Sequence, residues 1–352
     1  MGIIESIRGV MWARRNQPED VAYVLGASHE RFGPAELVQQ AVLAEEMGFD
    51  GVACSDHLTP WWRTETAPAH CANAWVWLGA AGQATDRIAI GTGVTGIVHR
   101  YNPVVVAQQV ATLETMFPGR AFLGVGSSEA MNEVPAGMDW PDTSEQLART
   151  EEALEIIVRL LDGETVPFAG EFSRTDGARL YLRPGRRPPV FVSAFHEQVA
   201  EVAGRLADGV WTLASPTTPP SVIAAYRRGA EEAGRAPGEI ILQSLASVDE
   251  SDEAALEASR EWKPSLDGQL YTDDIHTTAD IARRGDDVSD RAFTTANLVS
   301  ADPDSHVRKL RLTGELGATA IVLVNASGRA PEDMIRLYGE HVLPELRGDA
   351  EG

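Results

Sequence analysis

The segment Ser55-Asp56-His57-Leu58-Thr59-Pro60-Trp61-Trp62 sets an imidazole beside a carboxylate and just ahead of two indoles. An imidazole titrates near neutrality, so His57 is a candidate base or acid. A second segment, Gly124-Val125-Gly126-Ser127-Ser128-Glu129-Ala130-Met131-Asn132-Glu133, offers Glu129 as a carboxylic acid. Glycines at positions 91, 93, 124 and 126 let a flat ligand approach the backbone closely. Polar groups over an aromatic, glycine-lined floor suit a planar heterocyclic cofactor. Each feature also has a purely structural reading. Asp56 and His57 could cap a helix, Glu129 could be a first-turn carboxylate, and the glycines could be turn residues. Trp75 and Trp77, flanked by Ala and Leu, read as core. The eight histidines form no H-x-H or H-E-x-x-H pattern and there are two cysteines, so no metal site is expected. A G-x-S-x-G nucleophile turn is also missing, because Gly124-Val-Gly-Ser-Ser lacks the last glycine.

Short apolar, β-branched runs ended by turn residues predict eight strands: Val21–Leu25, Gly51–Cys54, Arg87–Thr92, Ala121–Val125, Val190–Ala194, Val210–Leu213, Ile240–Leu245 and Thr319–Val324. Amphipathic stretches lie between most of them, several opening on proline, as at Pro34, Pro103, Pro220 and Pro331. Eight strand-then-helix repeats imply a closed (β/α)8 TIM barrel with insertions. The open doubly wound alternative wants G-x-G-x-x-G after the first strand, where this chain has Leu25-Gly26-Ala27-Ser28-His29. One barrel domain is expected over 21–352, after an extension over 1–20. Two segments exceed the repeat. A hairpin pairing Phe168–Phe172 with Ala178–Leu182 is expected within 164–189, and a long polar insertion over 246–300 has the size of a lid or binding element. Barrels of this kind carry their site at the C-terminal strand ends. There the chain places Asp56 and His57, then Gly93, Val94 and Thr95, then Ser128, Glu129 and Asn132, then Ser193, Ala194, Phe195 and His196.

The chain of 352 residues carries a formal net charge of −22. That balance excludes general nucleic-acid or anionic-membrane binding, which needs a basic footprint. No run approaches a membrane span, and the start shows no signal-peptide pattern. Two cysteines, Cys54 and Cys71, fit a reducing cytoplasm. Of the 30 basic residues only Lys263 and Lys309 are lysine, as a GC-rich genome or a salt-adapted surface would each produce.

At these residues the sequence resembles the luciferase-like superfamily of flavin and deazaflavin enzymes, and within it coenzyme F420-dependent dehydrogenases of the glucose-6-phosphate type. Four segments carry the likeness: Val52 to Trp61, Gly91 to Val94 with Arg100 to Pro103, Phe122 to Glu133, and Ala203 to Gly209. The resemblance implies F420, a hydride acceptor at C5, bound at the C-terminal face, with FMN as the alternative cofactor. It implies His57 as the base for a substrate hydroxyl, Glu129 as the acid at N1 of the reduced cofactor, and Trp61 as an aromatic wall. Asp56, Gly93, Val94, Thr95, Ser128, Asn132, Ser193, Ala194, Phe195 and His196 become the expected cofactor contacts, with a non-proline cis link at Gly93–Val94. It further implies a homodimer and a small hydroxylated substrate. The opposite direction, reduction of a ketone or enone by reduced F420, and an FMN-dependent monooxygenase stay open. The chain also departs from the family. Pro216 stands where a phosphate-binding lysine is expected, and Thr294 to Ser300 lacks the expected arginine. Lys263 or the Arg283–Arg284 pair would have to substitute. Glucose 6-phosphate is therefore not the expected substrate. After the fifth strand, Phe195-His196-Glu197-Gln198 replaces the usual Gly-Pro turn, which sets an acid near the expected cofactor phosphate.

Overall fold

The computed structural model describes residues 21–65, 67–214, 219–328 and 330–348. The extension over 1–20 and Pro216 lie outside the described residues. In chain order the strands are β1 (Ala22–Ala27), β2 (Gly51–Cys54), β3 (Ala89–Gly96), β4 (Ala121–Gly126), β5 (Val166–Ala169), β6 (Arg174–Ala178), β7 (Val190–Ser193), β8 (Gly209–Leu213), β9 (Glu239–Ser247), β10 (Leu298–Val299) and β11 (Ala320–Asn325). Eight of them pair in the parallel order β9-β11-β1-β2-β3-β4-β7-β8, and β8 then pairs with β9 to close a (β/α)8 barrel. The short β10 adds to the edge of β9, with Leu298 opposite Ala246.

Parallel strands covered on both faces should read as unbroken apolar runs. Ala22–Ala27, with every residue buried, does so. Alternate residues divide between two cores. Tyr23, Leu25, Val52 and Leu242 face the helices, while Ala22, Val24, Ala53, Phe122, Phe191, Trp211 and Ile241 fill the barrel interior. Alanines on β1, β2, β3 and β11 make room there for the three large rings of β4, β7 and β8. The helices start where the sequence supplies caps. Asn73 accepts from the Val76 amide at 3.1 Å, and Asn102, just before Pro103, accepts from Val104 at 2.9 Å.

Both insertions form, with one shift. The hairpin pairs Val166–Ala169 with Arg174–Ala178, so its return strand lies nearer the turn than expected. Glu152 explains the change: its carboxylate accepts from the amides of Glu171, Phe172 and Ser173. That contact holds Phe172 in the turn instead of the strand. The polar stretch after β9 folds into helices at Asp252–Ser259, Thr278–Asp286 and Asp290–Ala296, with tight 3-10 turns over Arg260–Leu266 and Gly268–Tyr271. It has its own apolar cluster, in which Trp262, Leu270, Ile281 and Phe293 pack with Trp61 and Trp62 from the loop after β2. The insertion is thereby seated over the C-terminal mouth of the barrel. Both lysines of the chain tie down its helix Asp290–Ala296. Lys263 pairs with Asp290 at 2.6 Å, and Lys309 donates to the carbonyls of Thr294 and Asn297.

Candidate active site

The exits of β2, β3, β4 and β7 meet under the insertion, as the barrel geometry demands. Two chambers open there. The first is lined by Glu30, Ser55, His57, Trp61, Gly93, Gln243, Trp262 and Tyr271 among others. The second is lined by Asp56, Val94, Ser127, Ser128, Glu129, Thr143, Ser144, Ser193, Phe195, His196 and Gln198 among others. Residues next to each other in the chain, Gly93 and Val94, face one chamber each, and the peptide bond between them is cis. The β3–β4 register shifts at this point, between Thr92 and Thr95. The indole of Trp211 presses on Gly93 from the barrel interior, where an added Cβ would come within 2.8 Å of it.

His57 lines the first chamber. Its Nδ1 is buried without a hydrogen bond and lies 3.7 Å from Oε1 of Glu30. Glu30 is 1% exposed and accepts from the Ser55 hydroxyl at 2.9 Å. The ring of Trp61 lies 5.2 Å from the imidazole and continues to Tyr271 of the insertion, whose ring lies 4.5 Å from that of Phe195 at a tilt of 40°. Tyr271 thus borders both chambers, and its buried phenol donates to the Ser265 carbonyl. Burial pushes that phenol far above its ordinary titration range, with the nearby charge of Glu129 adding to the effect.

Behind the second chamber lies a buried polar network. Asp56 accepts from the Thr95 hydroxyl at 2.9 Å and from Tyr101 at 3.3 Å. Arg100 donates to the Asp56 carbonyl at 2.7 Å and lies 3.8 Å from Glu133. Glu133 accepts from Ser128 Oγ at 2.5 Å. Burial pushes the Glu133 carboxyl above the usual carboxylate range, against the pull of Ser128 and Arg100. Ser128 has φ +70, a left-handed backbone at the β4 exit that accompanies its bond to Glu133.

Asn132 joins the two candidate proton-transfer residues. Its carbonyl accepts from the Leu58 amide at 2.8 Å, and its amide donates to Glu129 Oε2 at 2.9 Å. Glu129 is the N-cap of the short helix Ala130–Glu133, with an extended backbone. Of the expected cofactor contacts, Asp56, Val94, Ser128, Ser193, Phe195 and His196 line the second chamber and Gly93 the first. Thr95, Asn132 and Ala194 are buried one layer behind, at 0%, 1% and 1% exposure. Trp62 turns away to stack edge-on against Trp262. Trp77 is core, and Trp75 is half-buried.

The acid after β7 does not face the second chamber. Glu197 pairs with Arg228 at 3.2 Å, while His196 caps the helix Glu197–Leu206 with no side-chain bond to its amides. The candidate phosphate clamps are also engaged elsewhere. Lys263 is held by Asp290 and Arg284 by Asp267, and Arg283 pairs with Asp280. Glu30, Arg100 and Glu133 were not picked out as site residues from the sequence. Extending the strand-exit reading to the first strand, which runs into Ser28-His29-Glu30, would have flagged Glu30. Arg100 and Glu133 sit inside the segments that carry the family likeness. Among the described residues no group of His, Cys, Asp and Glu could hold a metal ion, and no helix is long and apolar enough to cross a membrane.

Residues 8–320 match the family profile described as luciferase-like monooxygenase. The chain is 38% identical over 335 residues to an F420-dependent glucose-6-phosphate dehydrogenase of Nakamurella multipartita, covering 94% of this chain and 98% of that one. It is 37% identical to the protein of that name from Microbacterium testaceum, covering 91% and 96%. Among solved structures it superposes on an F420-dependent secondary alcohol dehydrogenase in complex with an F420-acetone adduct. The TM-score is 0.89 at 32% identity, over 93% of this chain and 99% of that one. An F420-dependent tetrahydromethanopterin reductase from Methanopyrus kandleri shares the fold, with a TM-score of 0.76 at 21% identity.

Proposed function

The chain belongs to the luciferase-like monooxygenase family, and from that premise we propose that it is a coenzyme F420-dependent oxidoreductase acting on the hydroxyl of a neutral alcohol or sugar. The chambers suit such a cofactor. A flat ring fits against the Gly93–Val94 link, and the second chamber offers hydroxyls and amides from Ser127, Ser128, Thr143, Ser144 and Gln198 for a polar tail. The uncapped amides opening Glu197–Leu206 suit its phosphate. When bound, F420 would supply a hydride acceptor at C5.

The chain's own residues manage the protons. With Nδ1 of His57 turned to Glu30, Nε2 is left for the substrate hydroxyl and takes its proton as the hydride departs. The imidazolium so formed meets the Glu30 carboxylate at 3.7 Å, inside a site shielded from water, where that attraction counts for more than in bulk. Trp61 walls the reacting carbon. Glu129, with Oε2 held by Asn132, keeps Oε1 for a proton to or from the ring. In the reverse direction His57 returns the proton as the acid.

One observation carries the substrate class: among the described residues no lysine or arginine lines the first chamber. A phosphate dianion enclosed there would lose its hydration without a counter-charge, a cost of several kcal/mol. Purified protein mixed with oxidised F420 should bleach the cofactor with secondary alcohols or neutral sugars, at higher kcat/KM than with glucose 6-phosphate. A preference for the phosphate would sink the substrate assignment. Bound FMN with NADH-driven oxygen uptake would sink the cofactor assignment. A homodimer accompanies this proposal, checked by mass in solution.

A further inference from the structure

We infer that Gln243 selects the substrate by donating a hydrogen bond to a second, neutral oxygen on it; this rests on the oxidoreductase reading above. Gln243 lies on β9, in register with Leu213 of β8 and Val322 of β11, and lines the first chamber together with His57 and Trp61. Its Oε1 accepts from Trp211 Nε1 at 2.9 Å. An indole nitrogen only donates, so the carboxamide has one orientation, carbonyl to Trp211 and NH2 away from it. Trp211 cannot swing aside to relax this. It is 3% exposed in the barrel interior, wedged against Gly93. Among the described residues Nε2 of Gln243 has no acceptor.

The chamber's hydroxyl and other carboxamide side chains are spent, while the Trp262 indole Nε1 is, like the Gln243 amide, without a partner among the described residues. Ser55 donates to Glu30 and Ser265 to the Trp262 carbonyl. Asn297 accepts from the Leu245 amide and donates to the Phe293 carbonyl, and Ser244 donates to the Leu245 carbonyl at 3.3 Å. Gln243 therefore holds a fixed, neutral amide donor, beside the Trp262 indole nitrogen, in a chamber whose walls include Trp61, Trp262 and Leu245. A substrate that is hydrocarbon beyond its reacting carbon would strip water from that donor and return nothing. One with an ether, hydroxyl or carbonyl oxygen in reach would restore the bond. The substrate class is then a neutral compound with an oxygen acceptor besides the hydroxyl oxidised, and no formal charge.

The test compares near-isosteric ketones that differ in one acceptor: methoxyacetone against 2-pentanone, and 4-methoxy-2-butanone against 2-hexanone. Binding is read by tryptophan fluorescence, with and without F420, so no turnover is required. In the wild type at least one ether should bind about threefold to tenfold more tightly than its partner, the worth of one neutral hydrogen bond. In Gln243→Glu, whose carboxylate still accepts from Trp211 but no longer donates, that advantage should vanish or reverse. F420 affinity should stay within about threefold of the wild type. Gln243→Met, which removes both ends, should also lose the advantage. Three outcomes would overturn the assignment: no ether preference in the wild type, a preference that survives both variants, or F420 affinity falling in step with it. The last would reduce Gln243 to a prop for Trp211. Failure of the oxidoreductase reading shows separately, as F420 left unbleached across the alcohol panel.

Discussion

The two ends of the barrel use carboxylates in opposite ways. At the N-terminal end they cap the starts of strands. Asp50 accepts from the Tyr23 amide of β1 at 2.8 Å and pairs with Arg347. Glu45 accepts from the amides of Arg87 and Ile88 just before β3. Glu114 accepts from Ala121 of β4, and Asp208 accepts from Val190 of β7. These acids satisfy backbone donors that the ladder leaves unpaired. At the C-terminal end Glu30, Asp56, Glu129 and Glu133 bond chiefly to side chains, and three of them border a chamber. The first group satisfies strand-start amides, and the second surrounds the proposed proton-transfer site. Changes at the N-terminal end should therefore cost stability and leave turnover, and changes at the C-terminal end should cost turnover and leave most of the stability.

The largest effect expected is at the C-terminal end. His57→Asn should lower kcat by about a thousandfold, the scale of general base catalysis, with F420 affinity and melting temperature nearly unchanged. A matching loss of cofactor binding would make His57 structural and erase the contrast. Asp50→Ala should do the reverse. Unpairing Arg347 and the Tyr23 amide should cost about 3 kcal/mol in urea unfolding, while the folded fraction keeps its kcat. Asn132→Ala tests the boundary case, since one side chain both satisfies the Leu58 amide and steadies Glu129. It should cut kcat about tenfold or more through misplacement and also cost about 1–2 kcal/mol of stability.

The smallest effect is a pair of opposite pH slopes. Burial works against ionised Glu45, but the amides of Arg87, Asp86 and Ile88 prevail and hold its carboxyl below the ordinary value. Its contribution is present above the unfolded pKa and is lost as pH falls through the folded one. Glu133 is raised by burial, so its contribution is full below the unfolded pKa and is lost as pH rises through the folded one. Between about pH 3 and 7, wild-type stability relative to Glu45→Gln should rise, and relative to Glu133→Gln it should fall. Parallel slopes would show that the two acids are not used differently.

The charge of −22 also becomes more specific in the folded chain. On its own it excluded basic partners. In the structure the candidate cations are locked into the pairs Lys263–Asp290, Arg284–Asp267 and Arg283–Asp280, so among the described residues an acidic composition coexists with chambers that no lysine or arginine lines.

Much of the fold was legible from local patterns. All eight barrel strands fall within a few residues of their expected places, because a strand buried on both faces must be apolar and must end in turn residues. The hairpin register was not legible, since Glu152, which fixes its turn, comes from a helix well upstream. The lining of the candidate site was legible at single strand exits, where His57, Trp61 and Glu129 do reach a chamber. It was not where a residue meets a partner elsewhere in the chain, as Glu30 meets His57 and Arg100 meets Glu133.

By itself the sequence determined the barrel, the face that carries the site and the chemical types gathered there, since periodicity and strand-end position are local properties. Only the tertiary structure decided which expected contacts reach a chamber and which, like Asn132 and Thr95, lie a layer behind. It also decided that Glu197 turns to Arg228 and that Gln243 keeps a free donor. Those outcomes depend on distances between residues far apart in the chain, which no local pattern encodes.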